Sequence, residues 1–322
     1  MHPNHYSKHI SIHYFLFSFL APEIALLHKE RKGYAKECSG KKNVIPILFL
    51  CDTKTSLSMY QCKKLLLLLF YCCSAAGVLN AQNNTRLNDP NQIGWFAANA
   101  TVRFAQKWAA TGEVQWRRDD WVRNGQQNLF RASINYSVHP AVWLRFGYAA
   151  VETFPYGEPT LQAEGKKFLE HRTFQQALVT QDLSPLQLQH RFMLEQRWVG
   201  RYVNPAAEKA DEYLYTNRFR YMARLQAPFQ KPTAKGAFWY GAVWDEVFVG
   251  FGKNVQQNVF DQNRASLVVG RQFSPMVRIE GGFLSQIVQL GRRVQDRNVF
   301  QHNNGFIITT SFSLDARKKE AQ

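Results

Sequence analysis

Between Thr216 and Gln226 apolar and polar residues take turns: Phe219, Tyr221, Ala223 and Leu225 share one side, Arg218, Arg220, Met222 and Arg224 the other. A repeat of two is that of a β-strand, whose successive side chains point to opposite faces. The pattern recurs along the chain. Phe96, Ala98, Ala100, Val102 and Phe104 oppose Asn99, Thr101 and Arg103; Trp108, Ala110, Val114 and Trp116 oppose Thr111, Glu113, Gln115 and Arg117. Phe130, Ala132, Ile134 and Tyr136 oppose Arg131, Ser133 and Asn135, and Val142, Leu144, Phe146 and Tyr148 oppose Arg145 and Gly147. Further strands are expected near Phe168–Thr180, Leu188–Trp198, Ala237–Val249, Ala265–Phe273 and Val277–Leu290, and a last one through Phe306, Ile308, Thr310 and Phe312.

The connections alternate in length. Those at 106–107, 139–140, 184–185 and 274–275 are short, and those at 118–127, 151–167, 199–212 and 291–301 are long and polar. Strands with an oily and a charged face, joined in this way, predict an all-β fold: a closed antiparallel transmembrane β-barrel with lipid outside and a polar lumen. A soluble barrel or sandwich has the same alternation. The membrane reading is favoured by aromatic residues near strand ends (Trp108, Trp116, Tyr148, Trp198) and by the density of Arg and Glu on the other face. Eleven strands are legible, yet single-chain outer-membrane barrels normally have an even number. The expectation is therefore about 12 strands, the missing one lying within the polar segment Asn83–Ile93, with 10 as the alternative.

Composition changes the picture mainly at the start of the chain. From Met59, a basic pair (Lys63, Lys64) precedes an apolar run, Leu65–Leu79, and Ala81 stands before Gln82. This is the layout of a secretory signal peptide over 59–81, and the run is short of the ~20 residues of a spanning helix. Residues 1–58 read as an upstream extension outside the folded protein, 82–314 as the outer-membrane barrel and 315–322 as a charged tail. All five cysteines (Cys38, Cys51, Cys62, Cys72, Cys73) precede Gln82, so the exported part has no disulfide or thiolate metal site. Of 40 Lys+Arg and 24 Asp+Glu, 10 and 4 lie in residues 1–81, which leaves 30 − 20 = +10 for 82–322. The arginines are spaced along strands beside Glu and Gln. A nucleic-acid binder would gather them in a patch or tail, so nucleic acid is not expected as a partner.

Candidate chemistry lies on the charged face. Glu113, Arg117, Glu170, Arg172, Arg191, Glu195, Arg197, Arg218, Arg220, Arg224, Arg264, Arg278 and Glu280 form an expected lumen network, because opposite charges on neighbouring strands pair across a sheet. Rings of Arg favour anions, which points to a narrow pore or a binding site for small anionic solutes. The alternative is a plug of ion pairs that fills the lumen and holds strand register. A third reading is a lipid hydrolase or acyltransferase, which needs a nucleophile and base within reach. His190, on the face of Leu188, Phe192 and Leu194, is its one candidate base, with no serine placed beside it. No enzyme activity, cofactor or metal is expected, and Asp119–Asp120 and Asp211–Glu212 read as solvated loop acids rather than a calcium site. The remaining expected partners are outer-membrane lipid and the barrel-assembly machinery.

Several strings, in order, resemble the Bacteroidetes-type outer-membrane proteins of the domain of unknown function 2490 family. They are Glu113-x-Gln115-x-Arg117, Glu170-x-Arg172-x-Phe174-Gln175-Gln176, His190-Arg191-x-x-Leu194-Glu195-Gln196-Arg197, Arg218-x-Arg220-Tyr221-x-x-Arg224-Leu225, Phe260-Asp261-Gln262-Asn263-Arg264 and Glu280-Gly281-Gly282-Phe283-Leu284-Ser285-Gln286. The resemblance covers most of residues 94–314 and implies an outer-membrane barrel. It brings no catalytic residues.

Overall fold

The computed structural model describes residues 86–255 and 258–317. The upstream extension, the signal peptide with all the cysteines, and the tail beyond Arg317 lie outside the described residues. Eleven strands follow one another: β1 (Arg86–Arg103), β2 (Trp108–Asp119), β3 (Asn124–His139), β4 (Val142–Thr153), β5 (Phe168–Leu183), β6 (Leu186–Arg201), β7 (Glu212–Pro228), β8 (Phe238–Phe251), β9 (Phe260–Ser274), β10 (Val277–Val294) and β11 (Arg297–Asp315). Each pairs with its neighbours in sequence, and β1 pairs with β11 to close a barrel.

The strand count corrects the expectation of twelve, or ten. It is eleven, and the barrel is not antiparallel throughout: β1 and β11 run parallel, in unbroken register from Arg86 opposite Asn298 to Arg103 opposite Asp315. An even number is required only if every pair is antiparallel. Closure itself demands only that no strand edge be left without hydrogen-bond partners, and a parallel seam meets that demand. No upward strand is then needed before β1.

The missing apolar face of Asn83–Ile93 also has a reason. From Arg86 onward this segment is the start of β1, not a separate twelfth strand, and its lumen-facing side is held by polar partners. Asp89 accepts hydrogen bonds from the Glu158 backbone N–H at 3.0 Å and from Gln301 Nε2 at 3.2 Å. Polarity likewise disguised other strand ends. The stretch 118–127 is mostly strand around a turn at 120–123, and 291–301 contains only a two-residue turn at Gln295–Asp296. Both turn residues have positive φ (51° and 57°), the geometry that joins tight hairpins. Asp261 belongs to β9 rather than to a loop.

The barrel therefore has a short-turn end, with connections at 104–107, 140–141, 184–185 and 275–276, and a long-loop end, with connections at 154–167, 202–211 and 252–259. The nine-residue connection 229–237 is the exception at the short-turn end. The outer wall carries the alternating apolar residues, with Phe130, Phe146, Leu267 and Phe283 all exposed. Aromatic pairs mark both ends: Trp108 with Tyr136 (ring centroids 4.7 Å apart) and Trp198 with Tyr215 (5.4 Å). Inside, two small apolar clusters, Ile93–Trp95–Leu284 and Tyr240–Ala242–Val268, pack among the polar groups.

The seam is tight. A Cβ on Gly305 would lie 1.7 Å from the carbonyl oxygen of Ile93 on the paired strand, whereas one on Gly112 would meet nothing within 4 Å. Gly305→Ala is expected to destabilise the barrel by about 1–3 kcal/mol through forced displacement of the seam, and Gly112→Ala to leave it unchanged. Thermal melting of the detergent-extracted protein measures both, and equal melting temperatures would contradict the seam geometry.

Candidate functional site: the charged lumen

Strand register brings the lumen charges together. Glu195 on β6 lies opposite Arg218 on β7, and Met193 opposite Arg220. Both guanidinium groups thus reach one carboxylate, Arg218 Nε donating to Glu195 Oε2 at 2.7 Å and Arg220 Nη1 to Oε1 at 2.7 Å. Arg218 Nη1 also donates to Asp261 Oδ2 at 2.6 Å, and Arg220 Nε to Glu246 Oε1 at 2.9 Å, where Arg191 Nη2 arrives at 2.8 Å. At the other flank Arg172 and Arg197 share Glu170, with Nε distances of 2.7 and 2.5 Å, and Arg197 Nη1 reaches Asp261 Oδ1 at 3.5 Å.

The result is one continuous lattice, Arg172–Glu170–Arg197–Asp261–Arg218–Glu195–Arg220–Glu246–Arg191, spanning β5 to β9. It stands on the ring of Phe248, with the guanidinium carbons of Arg220, Arg264 and Arg218 at 4.3, 4.6 and 5.1 Å from its centroid. The centre of the lattice is dry: the side chains of Arg218 and Glu195 are 2% and 1% exposed, against 24% for Arg191 at its end. Taking charges out of water costs several kcal/mol each, and alternation of sign along the lattice is what offsets it.

All thirteen residues expected in the lumen network lie on inward-facing strand positions, and seven of them enter this lattice. The others divide. Arg224 pairs with Glu280 (2.8 Å), whose carboxylate also accepts from the Tyr240 hydroxyl at 2.9 Å. Glu113 pairs with Arg131 at 2.9 Å. Arg117 and Arg264 have amide partners instead of acids: Arg117 donates to Gln115 and Gln127, Arg264 to Gln262 at 3.0 Å. Both also lie over Trp95, at 4.0 and 4.9 Å from its ring centroid. Arg278 is only half-buried and makes no ion pair among the described residues.

Sequence reasoning missed Asp261, Glu246, Arg131, Arg145 and the platform residues Phe248 and Trp95. Glu246 shares its face with Ala242, Trp244 and Phe248, so nothing local marked it as lumen charge. Asp261 was hidden in a polar run that reads as loop. Arg131 and Arg145 were visible on the polar faces of their strands, but their nearest lumen-facing neighbours along those strands are small or apolar.

Outside the barrel wall, His190 Nδ1 is 2.8 Å from the Tyr221 hydroxyl, and its ring stacks on Tyr221 and Phe192. A shallow groove beside it is lined by Val179, Gln181, Phe192 and Tyr221, so the hydroxyl within its reach is a phenol. Asp211, at the end of its loop, accepts backbone N–H bonds from Val203 (2.7 Å) and Asn204 (2.9 Å), which hold its carboxyl below the usual aspartate range. Asp120 pairs with Arg123 at 3.2 Å. These acids tie loops together, and among the described residues no three His, Cys, Asp or Glu side chains converge as for a metal ion.

The fold and interior define a class: a closed all-β barrel with a charged lumen. Residues 92–297 match the family described as Protein of unknown function (DUF2490), and the chain belongs to that family. A search of curated protein sequences finds no match. Among solved structures the chain is similar to one entitled "NanC porin structure in rhombohedral crystal form", at 9% identity and a TM-score of 0.35, covering 64% of this chain and 91% of that one. A likeness at that level carries no argument about function.

Breaking a buried ion pair strands its partner, at roughly 3–5 kcal/mol. Arg218→Leu, which leaves the buried Glu195 and Asp261 with one guanidinium partner each (Arg220 and Arg197), is therefore expected to lower the melting temperature of the extracted barrel steeply. Arg123→Leu, which removes a pair with a 79% exposed guanidinium, is expected to change it little. Similar losses in the two variants would contradict a stabilising lattice.

Proposed function

We propose that the chain is an outer-membrane β-barrel, porin-like in build, that admits small anionic solutes to a lumen narrowed by its own side chains, and is not an open diffusion pore. The observation that carries this reading is an imbalance of charge on the inner wall. Arg117, Arg145, Arg264 and Arg278 lie within 4.0 Å of no carboxylate among the described residues, while every lumen acid of the lattice holds at least two guanidinium groups. An inner wall with surplus arginine favours anions. The lattice and the buried Gln126, Gln301 and Asn303 fill the half of the lumen toward the long loops.

Membrane insertion is supported by the outer wall. On β8, Trp239 and Phe251 mark the two ends of the outward face, and twelve residues at about 3.3 Å each with a tilt near 40° rise roughly 30 Å. The short turns then face the periplasm and the long loops the exterior. One outward acid, Asp245, lies midway on that face, where Asn263 Nδ2 donates to both its oxygens at 3.2 and 3.0 Å. Aspartate on the lipid face costs less than Lys or Arg there.

A purely structural barrel is the second reading, favoured by the completeness of the lattice itself. Planar-bilayer recording of the refolded protein separates the two. The solute reading predicts small currents that prefer anions and fall when Arg264 is changed to Gln. Silence at all voltages would leave the structural reading, and a large or cation-preferring current would contradict the proposal.

A further inference from the structure

The lattice ends at Arg191, and beyond it, toward the short turns, the lumen opens into a small chamber between β2 and β6. Its walls include Glu113, Arg131, Ser133, Arg145 and Arg191, around a cavity of about 40 Å³. That is room for a few waters or one small ion, far below a drug-sized site. Three guanidinium groups face one carboxylate. Arg131 spends Nη1 on Glu113 at 2.9 Å, and Arg191 spends Nη2 on Glu246 at 2.8 Å. Arg145 makes no hydrogen bond or ion pair among the described residues. The Nε–H groups of all three arginines are buried without an acceptor.

Unpartnered buried donors are costly, and charged ones most of all. Arg117 and Arg264, elsewhere in this lumen, have amide oxygens and an aromatic face as partners. Here three converge from β3, β4 and β6 with donors to spare. The chamber is shaped around them: a Cβ on Gly147 would lie 2.6 Å from the ring of Phe174, so the glycine makes room for a ring over which Arg131 lies at 5.5 Å. On the short-turn side the wall is neutral and hydrogen-bonding, with Thr101, Thr111 and Asn135 linked at 2.8 and 2.7 Å.

We infer that the chamber formed by Arg131, Arg145 and Arg191 is a binding site for a small oxyanion, a phosphate or the carboxylate of a small acid. The planar guanidinium fork presents paired N–H groups that match two oxygens of such a group, and one tetrahedral or planar oxyanion can accept from all three arginines. The inference rests on the reading of the lumen as a place for anions and names where one is held.

Equilibrium dialysis of the full chain in detergent with radiolabelled inorganic phosphate, at constant ionic strength in chloride, tests it. The expected result is saturable binding of about one phosphate per chain. Arg145→Gln is expected to weaken it tenfold or more, and Arg145→Lys to weaken it less. Arg123→Gln, which removes an exposed loop charge outside the lumen, is expected to leave it unchanged. If Arg145→Gln does not fold, Ser133→Asp, which adds an acid to the wall, is expected to abolish binding. No saturable binding, binding at crowding concentrations only, or an equal loss in Arg123→Gln would overturn the site. A chain that binds phosphate at this site but carries no anion current keeps the inference and loses the solute-pore reading; an anion current without saturable binding does the reverse.

Discussion

On the proposed reading of the apolar outer wall as lipid-facing, one constraint overrides the rest: its backbone N–H and C=O groups must find partners within the sheet, because hydrocarbon offers none. The seam between β1 and β11 is where this chain meets that constraint. Pairing the first and last strands in parallel leaves no exposed edge, and it frees the strand number from the parity of antiparallel hairpins. It also explains why the first strand begins with the polar run Arg86–Gln92. That run is ordered by Asn298–Asn304 of β11 beside it and by Gln301 and the 154–167 loop inside, not by lipid.

Closing the sheet with its apolar face outward turns every other residue inward, and this chain fills the space with charge. The lattice of nine side chains works because register places each acid between two bases. Glu195 takes Arg218 and Arg220 from the next strand, and Asp261 on β9 takes Arg197 and Arg218 from β6 and β7 across the lumen. Where acids run out, arginines rest on Trp95 and Phe248 or on glutamines. Toward the short turns the partners use up only part of each guanidinium, and Arg131, Arg145 and Arg191 keep buried Nε–H groups without an acceptor. The proposed anion preference would thus rest on the arginines left over once the lattice is filled, set apart from it by depth along the barrel.

The two faces of every strand were legible in the sequence because a period of two survives any error in strand ends. From Phe96 to Phe312 the residues assigned to the oily face do point outward, and the thirteen charges assigned to the lumen point inward. What was not legible is what depends on partners remote in sequence. The parallel seam joins strands about two hundred residues apart, and neither strand carries a local mark of it. Polar extensions such as 118–127 and 291–301 look like loops because polarity signals water, while strand pairing continues past the apolar band. Glu246 and Asp261 join the lattice through register alone, so their neighbours in sequence gave no hint of their role.

The central claim is that one side of each strand faces hydrocarbon while the other faces a protected interior. All cysteines of the chain precede Gln82, so single cysteines on β3 give clean probes at Phe130, Arg131, Ala132 and Ser133. In lipid vesicles, a fluorophore at 130 or 132 should be quenched by nitroxide-labelled lipid tails, and one at 131 or 133 should not. Equal quenching along all four positions, or equal labelling of all four by a membrane-impermeant thiol reagent, would contradict the account.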